Sequence, residues 1–322
     1  MTYNSAMTEI AQPTPPSNNA PNDASDIHTE GWIARLTPKP VRPYMYLMRL
    51  DRPYGAWLLL LPCWWSIALA ADGTWPDVTL LALFTLGAFI MRGAGCVMND
   101  IADRDFDGQV ARTANRPIPS GQVSVKQAIA FLTFLGFLGL AILVQFNVFA
   151  IGVGVLSLAT VIIYPYMKRF TYWPQVFLGL SFNWGALLGW AAVQGSLSAA
   201  PGVLYVAGIL WTLGYDTIYA HQDKEDDVLV GIKSTALRLG NTTRGWLVFF
   251  YGGAIALVAL SGWLAGLSLY FYPALIPAAA HLAWQTATLD INDPKNCLMR
   301  FKSNRDFGLL LFAAVIVGQV VS

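Results

Sequence analysis

The chain has 322 residues, 55% of them apolar and 12% charged, with a net charge of +1 from 20 Lys+Arg and 19 Asp+Glu. A soluble domain carries about 25% charged residues, so the composition excludes a water-soluble globular enzyme and a wholly disordered chain. A near-zero net charge supplies no field to steer polyanions and excludes a nucleic-acid binder.

Residues 1–43 come first and differ in kind from the rest. The run from Gln12 to Ser25 is rich in Pro, Asn and Ser and reads as a disordered tail. No basic stretch precedes an apolar core there, so a cleaved signal peptide is not expected. Glu9, Asp23, Asp26 and Glu30 argue against an Arg-rich transit peptide. Residues 44–322 form the second unit, a membrane domain.

Charge-free gaps place its helices. The gaps run over 53–71, 78–91, 127–167, 170–215, 245–289 and 307–322. A crossing needs about 20 apolar residues, so each of the three long gaps holds two, with a polar or glycine break at its centre. The expectation is an all-α polytopic membrane protein with nine transmembrane helices around a central cavity. Their approximate bounds are 54–71, 78–98, 126–145, 148–167, 174–193, 202–222, 246–264, 268–288 and 307–321. Every Lys and Arg falls on the side where the chain begins, or at helix ends facing it, while the opposite loops hold only Asp72 and Asp77. The positive-inside rule then puts the N-terminus and the large loops in the cytoplasm, as for a bacterial inner (plasma) membrane protein. Cys63, Cys96 and Cys297 have no metal-site spacing and read as small buried hydrophobes.

Nine of the acidic residues lie in two inner segments. In the first, Asp100, Asp103 and Asp107 fall at about 0°, 300° and 340° around a helix; in the second, Asp216, Asp223 and Asp227 fall at about 0°, 340° and 20°, with Tyr219 near 300°. Each set makes one stripe. Like charges so spaced repel, and Asp216 lies within an apolar span, where an ionisable group is costly. Both features call for a cation. With oxygen ligands only, a hard ion such as Mg²⁺ is favoured over zinc, copper or iron. Arg112, Arg116, Lys168, Arg169 and Lys233 stand nearby and suit phosphate oxygens. Carboxylates, metal and basic side chains together describe a diphosphate site, and the apolar bundle suits a long hydrocarbon tail.

At these residues the chain resembles a known family. Asn99-Asp100-x-x-Asp103-x-x-x-Asp107 and Asp223-x-x-x-Asp227 are similar to the two aspartate-rich motifs of the UbiA-type membrane prenyltransferases. Residues 112–121, 164–169, 215–220 and 231–235 resemble the segments around them, in the order of the branch that prenylates 4-hydroxybenzoate for ubiquinone synthesis. The resemblance implies Mg²⁺-dependent transfer of a polyprenyl group from polyprenyl diphosphate to the ring carbon ortho to the hydroxyl of 4-hydroxybenzoate. It implies that Asn99, Asp100, Asp103, Asp107, Asp223 and Asp227 hold the metal and diphosphate. Lys168 and Arg169 would bind diphosphate oxygens or the acceptor carboxylate, and Asp223 would polarise the phenol. Asp216 and Tyr219 match the family with an open role. Two other readings stand beside this one. One is the same fold with a haem, menaquinone, chlorophyll or tocopherol precursor as acceptor; the other is a cation-coupled transporter, whose site would lie nearer the bilayer midplane.

Overall fold

The computed structural model describes residues 31–72, 74–108, 113–222 and 233–321, together with Ile27, Lys224, Val228 and Gly231. All of its regular structure there is helical. Two short helices, α1 (Trp32–Leu36) and α2 (Arg42–Leu47), precede α3 (Tyr54–Leu69). The expected tail is thus ordered in its last part, with Ile33 of α1 fully buried; most of it lies outside the described residues.

The long helices follow the charge gaps. They are α4 (Val78–Asp107), α5 (Val125–Leu143), α6 (Val148–Phe170), α7 (Pro174–Phe182), α8 (Gly185–Gln194) and α9 (Ala199–Ala220). Beyond the second acidic segment come α10 (Thr235–Leu239), a 3₁₀ turn, α11 (Thr243–Leu264), α12 (Phe271–Ala287), α13 (Pro294–Lys302) and α14 (Asn304–Val320). Among the described residues, six helical stretches are long and apolar enough to cross a membrane: 78–105, 125–143, 148–170, 174–194, 199–220 and 235–264. Helices also occupy the other three expected segments, but α3, α12 and α14 are shorter, at 16, 17 and 17 residues.

Two local choices matter for the site. First, α4 runs through the acidic motif to Asp107, so that motif is helical, as the angular argument assumed. Second, the expected helix 174–193 is broken between α7 and α8. The fully buried Asn183 donates its side-chain amide to the Gly179 carbonyl at 2.9 Å and to the Thr212 hydroxyl at 2.8 Å. A side chain that competes for its own helix's carbonyls favours a break.

The core sits where α3, α9, α11, α12 and α14 meet. Trp65, Trp211, Tyr215, Phe271 and Phe307 are its largest buried rings. Both indoles have polar partners: Trp65 donates to the Gly308 carbonyl at 2.7 Å and Trp211 to the Asn304 side chain at 2.8 Å. A buried indole without a partner would offset part of its gain. α8 lies close on α3 because Gly189 has no side chain; a Cβ there would come within 2.8 Å of the Cys63 carbonyl oxygen. α9 is the central helix, with 56% of its span buried, against 11% for α5, which faces outward.

Candidate active site

The site is assembled at the ends of α4, α6 and α9 and the start of α7 and α10. The acidic face of α4 divides in two. Asp100 is almost wholly buried and takes both oxygens to Nη2 of Arg49, at 2.6 and 2.9 Å. Arg116 donates to Asp100 at 3.3 Å and to Asp107 at 2.9 Å. Arg49 reaches Asp100 from a left-handed backbone conformation, φ 59°, which non-glycine residues adopt at a cost. Burial pushes the Asp107 carboxyl above its ordinary range, and Arg116 works against that shift.

The other half of the face meets α6. Lys168 Nζ lies 2.5 Å from Asp103, and Arg169 Nη2 lies 3.8 Å from the same carboxylate. The Lys168 carbonyl accepts the Lys233 backbone N–H at 3.0 Å, which ties the start of α10 to α6. Lys233 also stands over the Tyr172 ring, 5.5 Å from its centroid. Between these elements lies a cavity of about 150 Å³, lined by Asn99, Tyr164, Lys168, Gln175, Asp216, Tyr219, Lys233 and Ser234 among others. Gln175 is held by the backbone N–H of Thr235, which it accepts at 3.2 Å.

Of the residues singled out in sequence, Asn99, Lys168, Asp216, Tyr219 and Lys233 thus share one cavity, and Asp103 and Arg169 adjoin it through Lys168. Asp100, Asp107 and Arg116 form a neighbouring cluster with Arg49. Arg112, Asp223 and Asp227 lie outside the described residues. The repulsion within the stripe of three carboxylates on α4 is met by Arg49, Arg116 and Lys168. Among the described residues, no three His, Cys, Asp or Glu side chains converge on a metal position. The cavity donors are nonetheless oxygens, from Asn99 and Asp216 with Asp103 adjacent, and that donor set fits a hard cation.

The sequence reading missed Arg92. It lies in the middle of α4, seven residues before Asn99 and so about 10 Å deeper along the axis. Its Nη1 contacts the Cys96 sulfur at 2.9 Å and its guanidinium lies 5.4 Å from the Phe182 ring centroid. Among the described residues no carboxylate makes an ion pair with it. The rule that drew attention to Asp216, an ionisable group inside an apolar span, would have found it. His221, by contrast, is buried against the Thr243 hydroxyl at 2.9 Å, and His281 bonds the Ser303 carbonyl at 3.0 Å; both hold helices together.

Residues 59–314 match the model of the UbiA prenyltransferase family. The chain is 51% identical over 290 residues to the mitochondrial 4-hydroxybenzoate polyprenyltransferase of Rattus norvegicus, covering 89% of this chain and 78% of that one. Against the Homo sapiens protein of the same name, identity is 48% over 308 residues, covering 95% and 83%. Among solved structures, an apo UbiA homolog from Aeropyrum pernix K1 is similar with a TM-score of 0.64 at 25% identity, covering 81% of this chain and 96% of that one. A UbiA homolog from Archaeoglobus fulgidus, solved with GPP and Mg²⁺, shares the fold with a TM-score of 0.64 at 19% identity, covering 85% and 99%. The helical architecture, the order of the two acidic segments and these matches agree: the chain is a multi-pass membrane protein and a member of the UbiA prenyltransferase family.

Proposed function

We propose that this protein is a 4-hydroxybenzoate polyprenyltransferase of ubiquinone biosynthesis. The observation that carries the reading is identity near one half, over some nine-tenths of the chain, to relatives that bear that name. The cavity chemistry supports it. Lys168, Arg169 and Lys233, with Arg112 and Arg116 after the first acidic motif, supply positive charge for a diphosphate. Asn99, Asp103 and Asp216, joined by Asp100, Asp107, Asp223 and Asp227, supply oxygen ligands for Mg²⁺. When bound, Mg²⁺ neutralises charge on the leaving diphosphate.

The chain's own groups do the remaining work. Lys168 and Lys233 hold the diphosphate oxygens as the allylic C–O bond breaks and negative charge grows there. Tyr164 and Tyr219 wall the cavity, keep water from the allylic cation and offer it ring faces. Arg92, deep in α4 and without a carboxylate partner among the described residues, pairs with the acceptor carboxylate. That pairing turns the phenol end of the acceptor toward the cavity. The ring carbon ortho to the hydroxyl bonds to the allylic carbon, and the proton on that ring carbon passes to the released diphosphate or to water, so aromaticity returns. Asp223 is the group assigned to polarise the phenol.

Nine membrane crossings, residues 44–322 as the catalytic unit and a Lys/Arg-rich side facing the cytoplasm at a bacterial inner membrane complete the proposal. Family membership sets aside the transporter reading. Deuterium at both ring positions ortho to the hydroxyl tests the chemistry. The product of membranes supplied with Mg²⁺ and a prenyl diphosphate should lose one deuterium by mass. A product that keeps both would place the new bond elsewhere.

A further inference from the structure

The last inner loop, between α12 and α14, is a built platform. Asp293 caps α13 by accepting the Lys295 N–H at 2.9 Å. Asn296 accepts the Asp290 N–H at 3.1 Å and donates to the Thr288 carbonyl at 3.2 Å. Arg244 of α11 donates to the Leu289 carbonyl, and Arg300 lies flat over Trp284 at 4.0 Å. Two side chains of this platform reach the second acidic segment. The Phe301 ring lies 4.4 Å from the ring of Tyr219, which lines the cavity, and 5.9 Å from that of Tyr215. Lys224, between Asp223 and Asp227 in sequence, donates to Asn292 Oδ1 at 2.8 Å and to the Ile291 carbonyl at 3.2 Å.

We propose that the loop of residues 289–302 positions Tyr219 and Lys224 for the donor diphosphate, with Phe301 setting the Tyr219 ring and Asn292 anchoring the Lys224 side chain. Neither residue touches the reacting atoms; both are positioning residues, and the inference rests on the prenyl-transfer reading above. A ring held on one face by a neighbour keeps one orientation toward the cavity, and a lysine held by two acceptors keeps its charge in one place. Loss of either loosens the donor side of the cavity more than the acceptor end, which Arg92 holds. The effect therefore falls more on the KM of the donor than on that of the acceptor.

The test uses the purified full-length protein with geranyl diphosphate, Mg²⁺ and 4-hydroxybenzoate. Two quantities are read: KM for each substrate, and the rise in unfolding temperature produced by geranyl diphosphate with Mg²⁺. Phe301→Ala should raise the donor KM about 2- to 10-fold, the worth of one aromatic pair, and shrink the ligand-induced rise; Phe301→Tyr should restore both. Asn292→Ala should raise the donor KM about 2- to 5-fold, as for a partly exposed charged contact. Met299→Ala, on the exposed face of α13, should change nothing. An unchanged donor KM in both Phe301→Ala and Asn292→Ala, at wild-type unfolding temperature, overturns the inference. If Phe301→Ala unfolds early without ligand, Asn292→Ala decides alone. A wild-type protein with neither product nor ligand-induced rise would overturn the prenyl-transfer reading, and the inference with it.

Discussion

Arg92 sits in the middle of α4, inside an apolar stretch. A guanidinium deep in an apolar helix is expensive, and its contacts here are the Cys96 sulfur and the Phe182 ring, with no carboxylate paired to it among the described residues. Removing one partner of a buried charge pair costs about 2–5 kcal/mol. Arg92→Met should therefore raise the KM for 4-hydroxybenzoate by about 30-fold or more, and leave a phenol acceptor that lacks the carboxylate unaffected; equal loss with both acceptors would contradict the pairing. Asp216, Tyr219 and Lys233 were legible in sequence because an acid in an apolar span and a helical repeat of acids are local signals. The partners of Asp100 were not, since Arg49 lies 51 positions away and meets it only through folding. Cys297 offers a further check at this scale. It is buried, its thiol donates to the Asp290 carbonyl, and burial pushes its pKa up to about 11. The reactive form is the thiolate. Native protein should thus resist alkylation at Cys297 near pH 8 and become reactive only as the pH approaches 11, which peptide mass mapping reads directly.

Among the elements, the positions of helices were readable from charge gaps because lipid tolerates no unpaired polar backbone and few charges. Breaks inside a gap were not. The α7–α8 break depends on Asn183 meeting Thr212 and on Gly208 of α9 leaving room for its side chain, and neither neighbour is visible in a window of local sequence. Asn183→Leu should lower stability by about 1–2 kcal/mol, the scale of a buried interhelical hydrogen bond in membranes, seen as an earlier unfolding transition in detergent. No change would mean that the break is set by packing alone. The ordered part of the N-terminal segment was missed for a related reason: α1 has five residues, too few for periodicity to show, and is held by the burial of Ile33.

For the whole molecule, the one-sided placement of Lys and Arg is the strongest sequence argument, and the proposed topology rests on it. Cysteines introduced one at a time test it. Gln122→Cys lies on the basic side before α5, and Ser196→Cys lies in the turn after α8. The native cysteines are buried and give little background. A membrane-impermeant maleimide should label only Ser196→Cys in right-side-out vesicles and only Gln122→Cys in inverted ones; labelling of both in one preparation would break the proposed topology. The central claim, however, is chemical, and one assay addresses it most directly. Membranes containing the protein are incubated with 4-hydroxybenzoate and prenyl diphosphates of several lengths, with Mg²⁺ or with excess chelator, and prenylated acid is measured by mass. The account predicts product with Mg²⁺, none with chelator, and a loss of at least about 100-fold for Asp103→Ala, the scale of removing one transition-state contact. Absence of product with every donor, or an Asp103→Ala protein as active as wild type, would contradict it.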